Sequence, residues 1–408
     1  MSTTGRDARL DVPPLPTGRI VLEPPPELQP REAAGGALMN ALPMLGSLGS
    51  VALVASMGRA GGGRALLAGG LFLLSTIGFV LVQVDRQRRQ RRQQVHQPRT
   101  GYLTYLAGVR RAARAAAAQQ RRALTWHHPD PEALPALAAE RSRVWARQPG
   151  DPAFLRVRYG VADQPLALEL VPPADDPSGS ADPVAAAALR RLLGVHRLQP
   201  DLPATLDLHA VGRVELHGPD EQARSLARAM VCAGVAGHGP EQLAVGVLAA
   251  ETRLAHWDWV KWLPHAWSGR RSDSVGPMRM VATTPADLAT LLPADLGDRP
   301  RFGSDDRPAA PHLLLVVDGA DLPMDGAVVP ADGLHGVTVL ELPGGRDDHP
   351  ERPGLRIEID GTTHDADDRP TVLVHQGRED PTPARADQCP VATAEALARR
   401  LTPLGAAG

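Results

Sequence analysis

Two long uncharged stretches, separated by a short glycine-rich turn, most constrain how this chain can fold. Residues 33–57 and 65–84 contain no charged side chain, whereas residues 58–64 read GRAGGGR. A helix rises about 1.5 Å per residue, so about 20 apolar residues cross a hydrocarbon core of roughly 30 Å. The pattern therefore predicts a transmembrane hairpin. A signal peptide and a buried pair of soluble helices are the alternatives.

Arginines indicate the orientation of this predicted hairpin. The turn between the stretches carries two, and four precede the first stretch, at positions 6, 9, 19 and 31. Five follow the second stretch within seven positions: Arg86, Arg88, Arg89, Arg91 and Arg92. Because positively charged residues close to a span stay on the cytoplasmic side, we expect an inner (cell) membrane protein with both termini in the cytoplasm. The arginine run would then meet anionic lipid headgroups.

The overall charge and the cysteines exclude several classes of protein. The chain of 408 residues has a formal net charge of −2, which argues against a general nucleic-acid binder. Its two cysteines, Cys232 and Cys389, form no CxxC pair, so the sequence predicts neither a metal ribbon nor a disulfide framework. The adjacent His127 and His128 have no further ligand at helical spacing, and we expect no metal site there.

Composition and periodicity divide the chain into five predicted segments. In the stalk, Pro98 should interrupt the helix, and apolar residues at three- and four-residue steps predict a second helix that ends at His127. Asp130 is a predicted N-cap, with Pro131 at the first position of a helix that continues to about Trp145. The segments are a proline-rich, poorly ordered cytoplasmic arm (1–32), the hairpin (33–84), a helical stalk (85–150), a small α/β connector (151–200) and an α/β domain (201–408).

Strands and helices alternate in the second half of the chain. Residues 154–159 alternate like a half-buried strand, and residues 166–171 are its expected partner. Such alternation predicts an α/β fold with a parallel sheet covered by helices on both faces. The further strands are predicted at 205–208, 213–216, 243–249, 313–317, 336–342 and 372–375, and the helices at 183–193, 220–231, 284–292 and 393–401.

The most apolar strand of the chain ends in an acidic residue. Asp318 follows five Leu and Val residues, and in Walker-B motifs a carboxylate at that place helps to hold Mg²⁺. The alternative is a capped strand end without catalysis. Strand 213–216 leads to a helix where an NTPase would carry its phosphate loop, but residues 217–223 read HGPDEQA. A Walker A loop needs GxxxxGK[ST], and Lys261, the sole lysine, lies between two tryptophans. We therefore expect a degenerate nucleotide site without catalytic residues.

Four of the six tryptophans fall within residues 257–267. Large rings at this density either close a core or form an interface hot spot. Trp257, Trp259 and Trp262 are therefore predicted packing or interface residues. His265 lies beside them and is either a switch or a hydrogen-bonded core histidine.

An ordered set of motifs carries a family resemblance. The set consists of GRIVLEPPPEL at 18–28, the two uncharged stretches, YLTYL at 102–106, the HP turn at 128–129, FLRVR at 154–158 and the tryptophan segment at 257–265. Together these motifs resemble the N-terminal part of EccC, the FtsK/SpoIIIE-type ATPase of actinobacterial type VII (ESX) secretion, and they extend over nearly the whole chain.

The resemblance implies an architecture and an assembly. It implies two transmembrane helices, a helical stalk and a RecA/FtsK-like parallel-sheet domain that lacks a Walker A loop. It also implies EccB, EccD and EccE as membrane partners, FtsK-like motor modules, a homo-oligomer of sixfold symmetry and export of small helical Esx and PE/PPE-type substrates. The implied cofactor is Mg-ATP, bound without hydrolysis or bound by a partner motor module.

The function expected from these points is that of a membrane-anchoring and coupling subunit without ATPase activity of its own. A nucleotide-sensing module and a relative of FtsK-like DNA translocases are the alternatives. The sequence stops at Gly408, near where the first motor module with a Walker A loop would begin. A split gene, a cut chain and a reduced paralogue are all open at this point.

Overall fold

The computed structural model describes residues 12–27, 64–174, 180–304, 311–323, 328–343, 354–364, 368–377 and 380–405. Within these ranges the chain forms two units. The smaller comprises Pro16–Ala117 and Leu166–Leu198, and the larger comprises Met1–Leu15, Ala118–Pro165 and Gln199–Gly408. The first uncharged stretch, residues 33–57, lies outside the described residues. The five segments predicted above stay a prediction.

The described helices and strands are numbered here in chain order. The α-helices are α1 (Arg64–His127), α2 (Leu134–Glu140), α3 (Pro183–His196), α4 (Asp220–Gly237), α5 (Pro285–Leu291) and α6 (Val391–Gly405). Shorter 3₁₀ helices cover Pro131–Ala133, Glu251–Trp262, Pro264–Ala266 and Ala294–Asp298. The strands are β1 (Arg19–Val21), β2 (Arg156–Pro165), β3 (Glu169–Val171), β4 (Leu198–Asp207), β5 (Arg213–His217), β6 (Leu243–Ala249), β7 (Trp267–Ser272), β8 (Pro277–Arg279), β9 (Val281–Ala282), β10 (His312–Asp318), β11 (Val337–Leu342), β12 (Leu355–His364), β13 (Pro370–Gln376) and β14 (Thr382–Ala386).

Helix α1 runs without a break for 64 residues. It contains Pro98, so the predicted interruption of the stalk at that residue is wrong. A proline removes one backbone hydrogen bond, and the run of Gln and Arg residues before it, which are good helix formers, allows the helix to continue. The helix ends at His127, as predicted. Among the described residues, no helix combines enough length with enough apolar character to cross a bilayer, and the transmembrane hairpin is therefore not confirmed.

The smaller unit contains a two-stranded parallel sheet, in which β1 pairs with β3. The predicted pairing of residues 166–171 with residues 154–159 is therefore wrong. Ile20 and Leu170 both pack against the apolar core of this unit, which favours the pairing that is observed. The proline-rich arm, predicted to be poorly ordered, contributes β1 to this sheet. The buried core residues of the unit are Leu22, Tyr102, Leu106, Val109, Ala185, Leu189 and Leu192.

A ten-stranded sheet forms the centre of the larger unit, in the order β4-β2-β14-β13-β12-β5-β11-β10-β6-β9. The strands from β12 to β9 pair in parallel, as the alternation of strands and helices predicts. The pairs β12–β13, β13–β14 and β14–β2 are antiparallel. Short connections join β12 to β13 and β13 to β14, and short connections permit only antiparallel neighbours. The fold is therefore mixed α/β, and its sheet is parallel in part.

Burial differs between the two halves of this sheet. Every residue of β6, β10 and β11 is buried, which is typical of parallel strands covered on both faces. In β13 burial alternates: Val372 and Val374 are buried, whereas Leu373 is 39% exposed. The prediction of helices on both faces is thus wrong for β13. The largest core cluster contains residues of β5, β6, β10, β12, α4 and α6.

The chain between α1 and the sheet begins a short helical segment where the sequence predicts it. The Asp130 side chain accepts a hydrogen bond from the Glu132 backbone N–H, and Pro131 occupies the first helical position. The segment ends at Glu140 and does not reach Trp145. Arg141 has a φ of 54° and terminates the helix in the left-handed conformation.

Candidate functional site

Three adjacent parallel strands, β5, β11 and β10, end around one cavity of the larger unit. The cavity has a volume of about 380 Å³ and is lined by residues of these strand ends, of α4 and of β12. Ligands of parallel α/β sheets bind at the carboxyl ends of the strands. The cavity therefore lies where the sequence predicts a degenerate nucleotide site.

The connection from β5 to α4 consists of Gly218 and Pro219 alone. Gly218 has a φ of 141°, and a Cβ atom there would lie 2.7 Å from Cβ of Ile359 on β12, so only glycine fits. Pro219 has no backbone N–H to offer a phosphate. The first turn of α4 then carries Asp220 and Glu221, which repel an anion at that end. A two-residue connection of this chemistry does not form the amide cradle of a Walker A loop.

Asp318 lies at the end of β10 and has no exposed surface. Its Oδ2 atom accepts hydrogen bonds from Arg224 Nε at 2.8 Å and from Trp257 Nε1 at 3.0 Å. Its Oδ1 atom accepts a hydrogen bond from Arg253 Nη1 at 2.9 Å. Both carboxylate oxygens are therefore occupied by protein donors, two of them cationic. Charge-assisted bonds of this kind are the strong ones.

The two arginines also reach the first turn of α4. Arg224 Nη2 lies 3.1 Å and Arg253 Nη2 lies 3.3 Å from Oδ2 of Asp220. Burial by itself lowers the pKa of the Arg224 guanidinium, but its hydrogen bond to Asp318 and the nearby carboxylates outweigh this and raise that pKa. Two arginines and two aspartates thus form one charge-balanced group at the floor and rim of the cavity.

The position directly after Asp318 requires a glycine, Gly319. Its φ of 65° lies in the left-handed region, and a Cβ atom there would lie 2.8 Å from the guanidinium of Arg253. A side chain at this position would therefore push Arg253 away from Asp318. The sequence has no acidic residue here that could activate a water molecule.

Mg-ATP does not fit this arrangement of residues. Mg²⁺ needs oxygen ligands in near-octahedral geometry, usually one or two carboxylates together with the phosphates of the substrate. Asp318 is the buried carboxylate at the expected place, and both its oxygens already accept hydrogen bonds from the protein. Lys261, the sole lysine, pairs at 2.6 Å with Asp258 and does not line the cavity. A Mg²⁺ ion at Asp318 would also meet the positive charges of Arg224 and Arg253 at a carboxylate that has no exposed surface.

The tryptophan segment lies in and after the 3₁₀ helix Glu251–Trp262. Trp257 is 1% and Trp259 2% exposed, and both belong to the main core cluster. Trp262 is half-buried beneath the Arg399 guanidinium of α6, 4.3 Å from the ring centroid. His265 is buried, its Nε2 atom lies 2.8 Å from the carbonyl oxygen of His238, and burial lowers its pKa to about 4. A role of these residues in an interface with a partner stays a prediction.

The remaining predicted residues lie outside the cavity. The five arginines at 86, 88, 89, 91 and 92 lie on α1, where Arg89 pairs with Asp85 at 2.9 Å. Asp130 pairs with Arg158 at 2.9 Å and with Arg369 at 2.8 Å, so its carboxylate is engaged. No group of three or more His, Cys, Asp or Glu side chains in the described ranges is placed to hold a metal ion.

Arg224, Arg253 and the indole of Trp257 are the site residues that sequence reasoning missed. Arg224 lies four residues after Asp220 on one helix face, which was a usable local signal. Asp318, which both arginines contact, lies 94 positions after Arg224 and 65 positions after Arg253 in the sequence. No local sequence pattern predicts contacts between residues that are so far apart in the chain.

No family model matches this chain, but its sequence is similar to those of known proteins. The ESX secretion system protein EccC of Thermomonospora curvata is 34% identical over 402 residues, or 98% of this chain. The ESX-3 secretion system protein EccC3 of Mycobacterium tuberculosis is 36% identical over 97% of the chain. The ESX-4 protein EccC4 of the same organism is 32% identical over 83% of it. The chain is a homologue of the EccC proteins.

The match to EccC covers only part of these relatives. The chain spans 30% of the Thermomonospora curvata EccC, 29% of EccC3 and 26% of EccC4. Solved structures of Thermomonospora curvata EccC give weaker agreement. The structure of ATPases 2 and 3 with a signal sequence peptide is 13% identical, covers 62% of this chain and 43% of that chain, and has a TM-score of 0.32. Agreement at that level does not establish a shared fold.

Loss of the Asp318 charge should destabilise the larger unit of this EccC homologue. We expect Asp318→Asn to lower the free energy of unfolding by about 3–5 kcal/mol, because it removes the buried counter-charge of Arg224 and Arg253, which then keep only the half-exposed Asp220. Urea unfolding followed by tryptophan fluorescence measures this. Asp258→Asn, which breaks the exposed pair with Lys261, is the matched control and should cost about 0–1 kcal/mol. Equal losses in the two variants would contradict the assignment.

Proposed function

We propose that this chain is a membrane-anchoring and coupling component of a type VII (ESX) secretion machine and does not hydrolyse ATP by itself. The assignment to the machine is supported by homologues that are named ESX secretion system proteins. The absence of hydrolysis is supported by the cavity at the ends of β5, β11 and β10. The chain spans about 30% of the length of the Thermomonospora curvata EccC. The activity, partners and substrates of the whole protein are therefore only proposed for this chain.

One observation carries the non-hydrolytic part of the proposal. The carboxylate of Asp318 is held by Arg224, Arg253 and Trp257, so the group that would contact Mg²⁺ in a Walker-B motif is bound by the protein's own cations. The connection at Gly218 and Pro219 supplies no amide cradle for phosphates. The carboxylate that would contact Mg²⁺ is thus engaged within the protein, and the loop that would bind the phosphates is replaced by a two-residue connection.

The same contacts support a coupling role. Arg224 lies on α4, Arg253 and Trp257 lie on the 3₁₀ helix Glu251–Trp262, and Asp318 ends the buried strand β10. A displacement of any one of these elements must break ion pairs or carry the other two along. In our proposal, this group transmits force through the domain from FtsK-like motor modules elsewhere in the machine.

The wider assembly in this proposal rests on the family resemblance. We place the chain in a homo-oligomer, a hexamer by resemblance, with EccB-, EccD- and EccE-type membrane components. Its machine would export small helical Esx and PE/PPE-type proteins. The tryptophan segment, in which Trp262 is half-buried beneath Arg399, is the part of the larger unit that we propose for contacts within this assembly.

A nucleotide-sensing module is the second candidate, and one observation favours it. The cavity of about 380 Å³ is lined by Arg224, Arg253 and Arg356, which could receive an anion if the pairs with Asp318 and Asp220 opened. Such binding would occur without hydrolysis. It would require the charge-balanced group to rearrange, whereas the coupling role requires it to stay intact.

The proposal predicts that the purified full chain in detergent turns over no ATP above background. Phosphate release is measured with Mg-ATP for the wild type, for Asp318→Ala and for Lys261→Ala, the last of which removes the sole lysine at an exposed site. All three should give the same background rate. A robust rate in the wild type and in Lys261→Ala that disappears in Asp318→Ala would contradict the proposal, provided that circular dichroism shows each variant folded.

Membrane anchoring is the other part of the proposal, and it rests on the uncharged stretches 33–57 and 65–84 with their flanking arginines. We propose two spans with both termini in the cytoplasm. After alkaline carbonate extraction, the full chain should stay in the membrane pellet, and a variant without residues 33–84 should appear in the supernatant. Recovery of the full chain in the supernatant would contradict anchoring.

A further inference from the structure

The two cysteines of the chain meet in the folded structure. Cys232 lies on α4 and Cys389 lies directly before α6, 157 positions further along the chain. Their Sγ atoms are 4.0 Å apart, and their exposed fractions are 1% and 0%. A chain of 408 residues with only two cysteines has thus brought both into contact in one core.

The segment that carries Cys389 is fixed against α4 by two backbone contacts. The backbone N–H of Cys389 donates a hydrogen bond to Oγ of Ser225 at 2.9 Å. Its carbonyl oxygen accepts a hydrogen bond from Nε of Arg228 at 2.8 Å. Ser225 and Arg228 lie on α4, the helix that also carries Cys232. Two hydrogen bonds therefore hold the Cys389 segment against α4, and the two sulfurs face each other without a covalent bond between them.

The two thiols differ in acidity. Their mutual hydrogen bond lowers the pKa of Cys389 and, together with burial, raises the pKa of Cys232. The thiolate is the nucleophilic form of cysteine, so whichever of the two sulfurs loses its proton attacks, and the other resolves.

We propose that Cys232 and Cys389 form a covalent modification site, a buried dithiol that small peroxides oxidise to a disulfide. In the first step one of the two sulfurs, as its thiolate, attacks one oxygen of hydrogen peroxide and breaks the O–O bond. This step yields a sulfenic acid and a hydroxide that takes up a proton. In the second step the other sulfur attacks the sulfenic sulfur, its proton leaves, and the hydroxyl group departs as water.

The electrons and atoms of this sequence balance. The two thiols lose two electrons and two protons, and one hydrogen peroxide molecule becomes two water molecules. The S–S bond requires the sulfurs to approach from 4.0 Å to about 2.05 Å, which a rotation of the side chains and a small shift of the segment before α6 must supply. A peroxide suits a buried site because it is small and uncharged.

Closure of the disulfide would join α4 to the segment before α6. Arg224, near the start of α4, holds Asp318, so the modification would fix the helix that forms one wall of the cavity. The inference itself does not depend on the proposed function. It concerns only the chemistry of the larger unit.

The test uses the full chain in detergent, reduced first and then treated with hydrogen peroxide. Intact-mass spectrometry should show a loss of about 2 Da, which dithiothreitol reverses, since disulfide formation removes two hydrogens. Trypsin should release residues 229–253 covalently joined to residues 386–399. The melting temperature of the oxidised chain should rise by about 5–10 °C, because the bond closes a long loop.

Cys232→Ala is the matched control, since it removes one sulfur and leaves the other in the same surroundings. It should show no loss of 2 Da, no joined peptide and no rise in melting temperature after peroxide. Three outcomes would overturn the proposal. They are an unchanged wild-type mass, the addition of oxygen to a single cysteine as the main product, and a disulfide between two chains.

Discussion

Asp318 ends the fully buried strand β10 with a carboxylate that has no contact with solvent. Burying an ionised group costs several kcal/mol unless opposite charges and hydrogen bonds compensate it. Arg224, Arg253 and Trp257 supply that compensation. The ends of β10 and α4 and the 3₁₀ helix Glu251–Trp262 are thereby held in one arrangement, because separating any of them would break ion pairs of a buried carboxylate. As a result, the arginines that line the cavity are paired with carboxylates of the protein itself.

In this arrangement the aspartate at the end of a strand of Walker-B appearance is bound by side chains of the protein. In the predicted pattern, Asp318 would face a metal ion, but here it faces guanidinium groups. Gly319 leaves room for Arg253, and the connection at Gly218 and Pro219 leaves no room for a phosphate loop. A fold of this type has thus kept the geometry of strand ends around a cavity while its charges are balanced internally.

The sequence predicts those parts of the structure that depend on local pattern. The run of apolar residues before Asp318 identifies β10, because a strand covered on both faces must be apolar throughout. Asp130 and Pro131 likewise mark a helix start by capping chemistry. What the sequence does not predict depends on contacts between distant segments. The partners of Asp318 and the pairing of β3 with β1 are of this kind.

Helix α4 connects several of these features within 18 residues. Its first turn carries Asp220 and Arg224 of the charge-balanced group, and its later turns carry Arg228 and Cys232 beside the segment of Cys389. The charge-balanced group and the contact between the two cysteines are therefore connected by one helix. In the coupling role that we propose, this helix would pass on a displacement without any chemistry of its own.

Isothermal calorimetry with Mg-ATP tests most directly whether Asp318 is withheld from metal and nucleotide. Binding gives a saturable heat and hydrolysis gives sustained thermal power, so one titration distinguishes the two. The account predicts that the full chain in detergent shows neither, and that Asp318→Asn behaves identically. A saturable heat in the wild type that Asp318→Asn abolishes would contradict it.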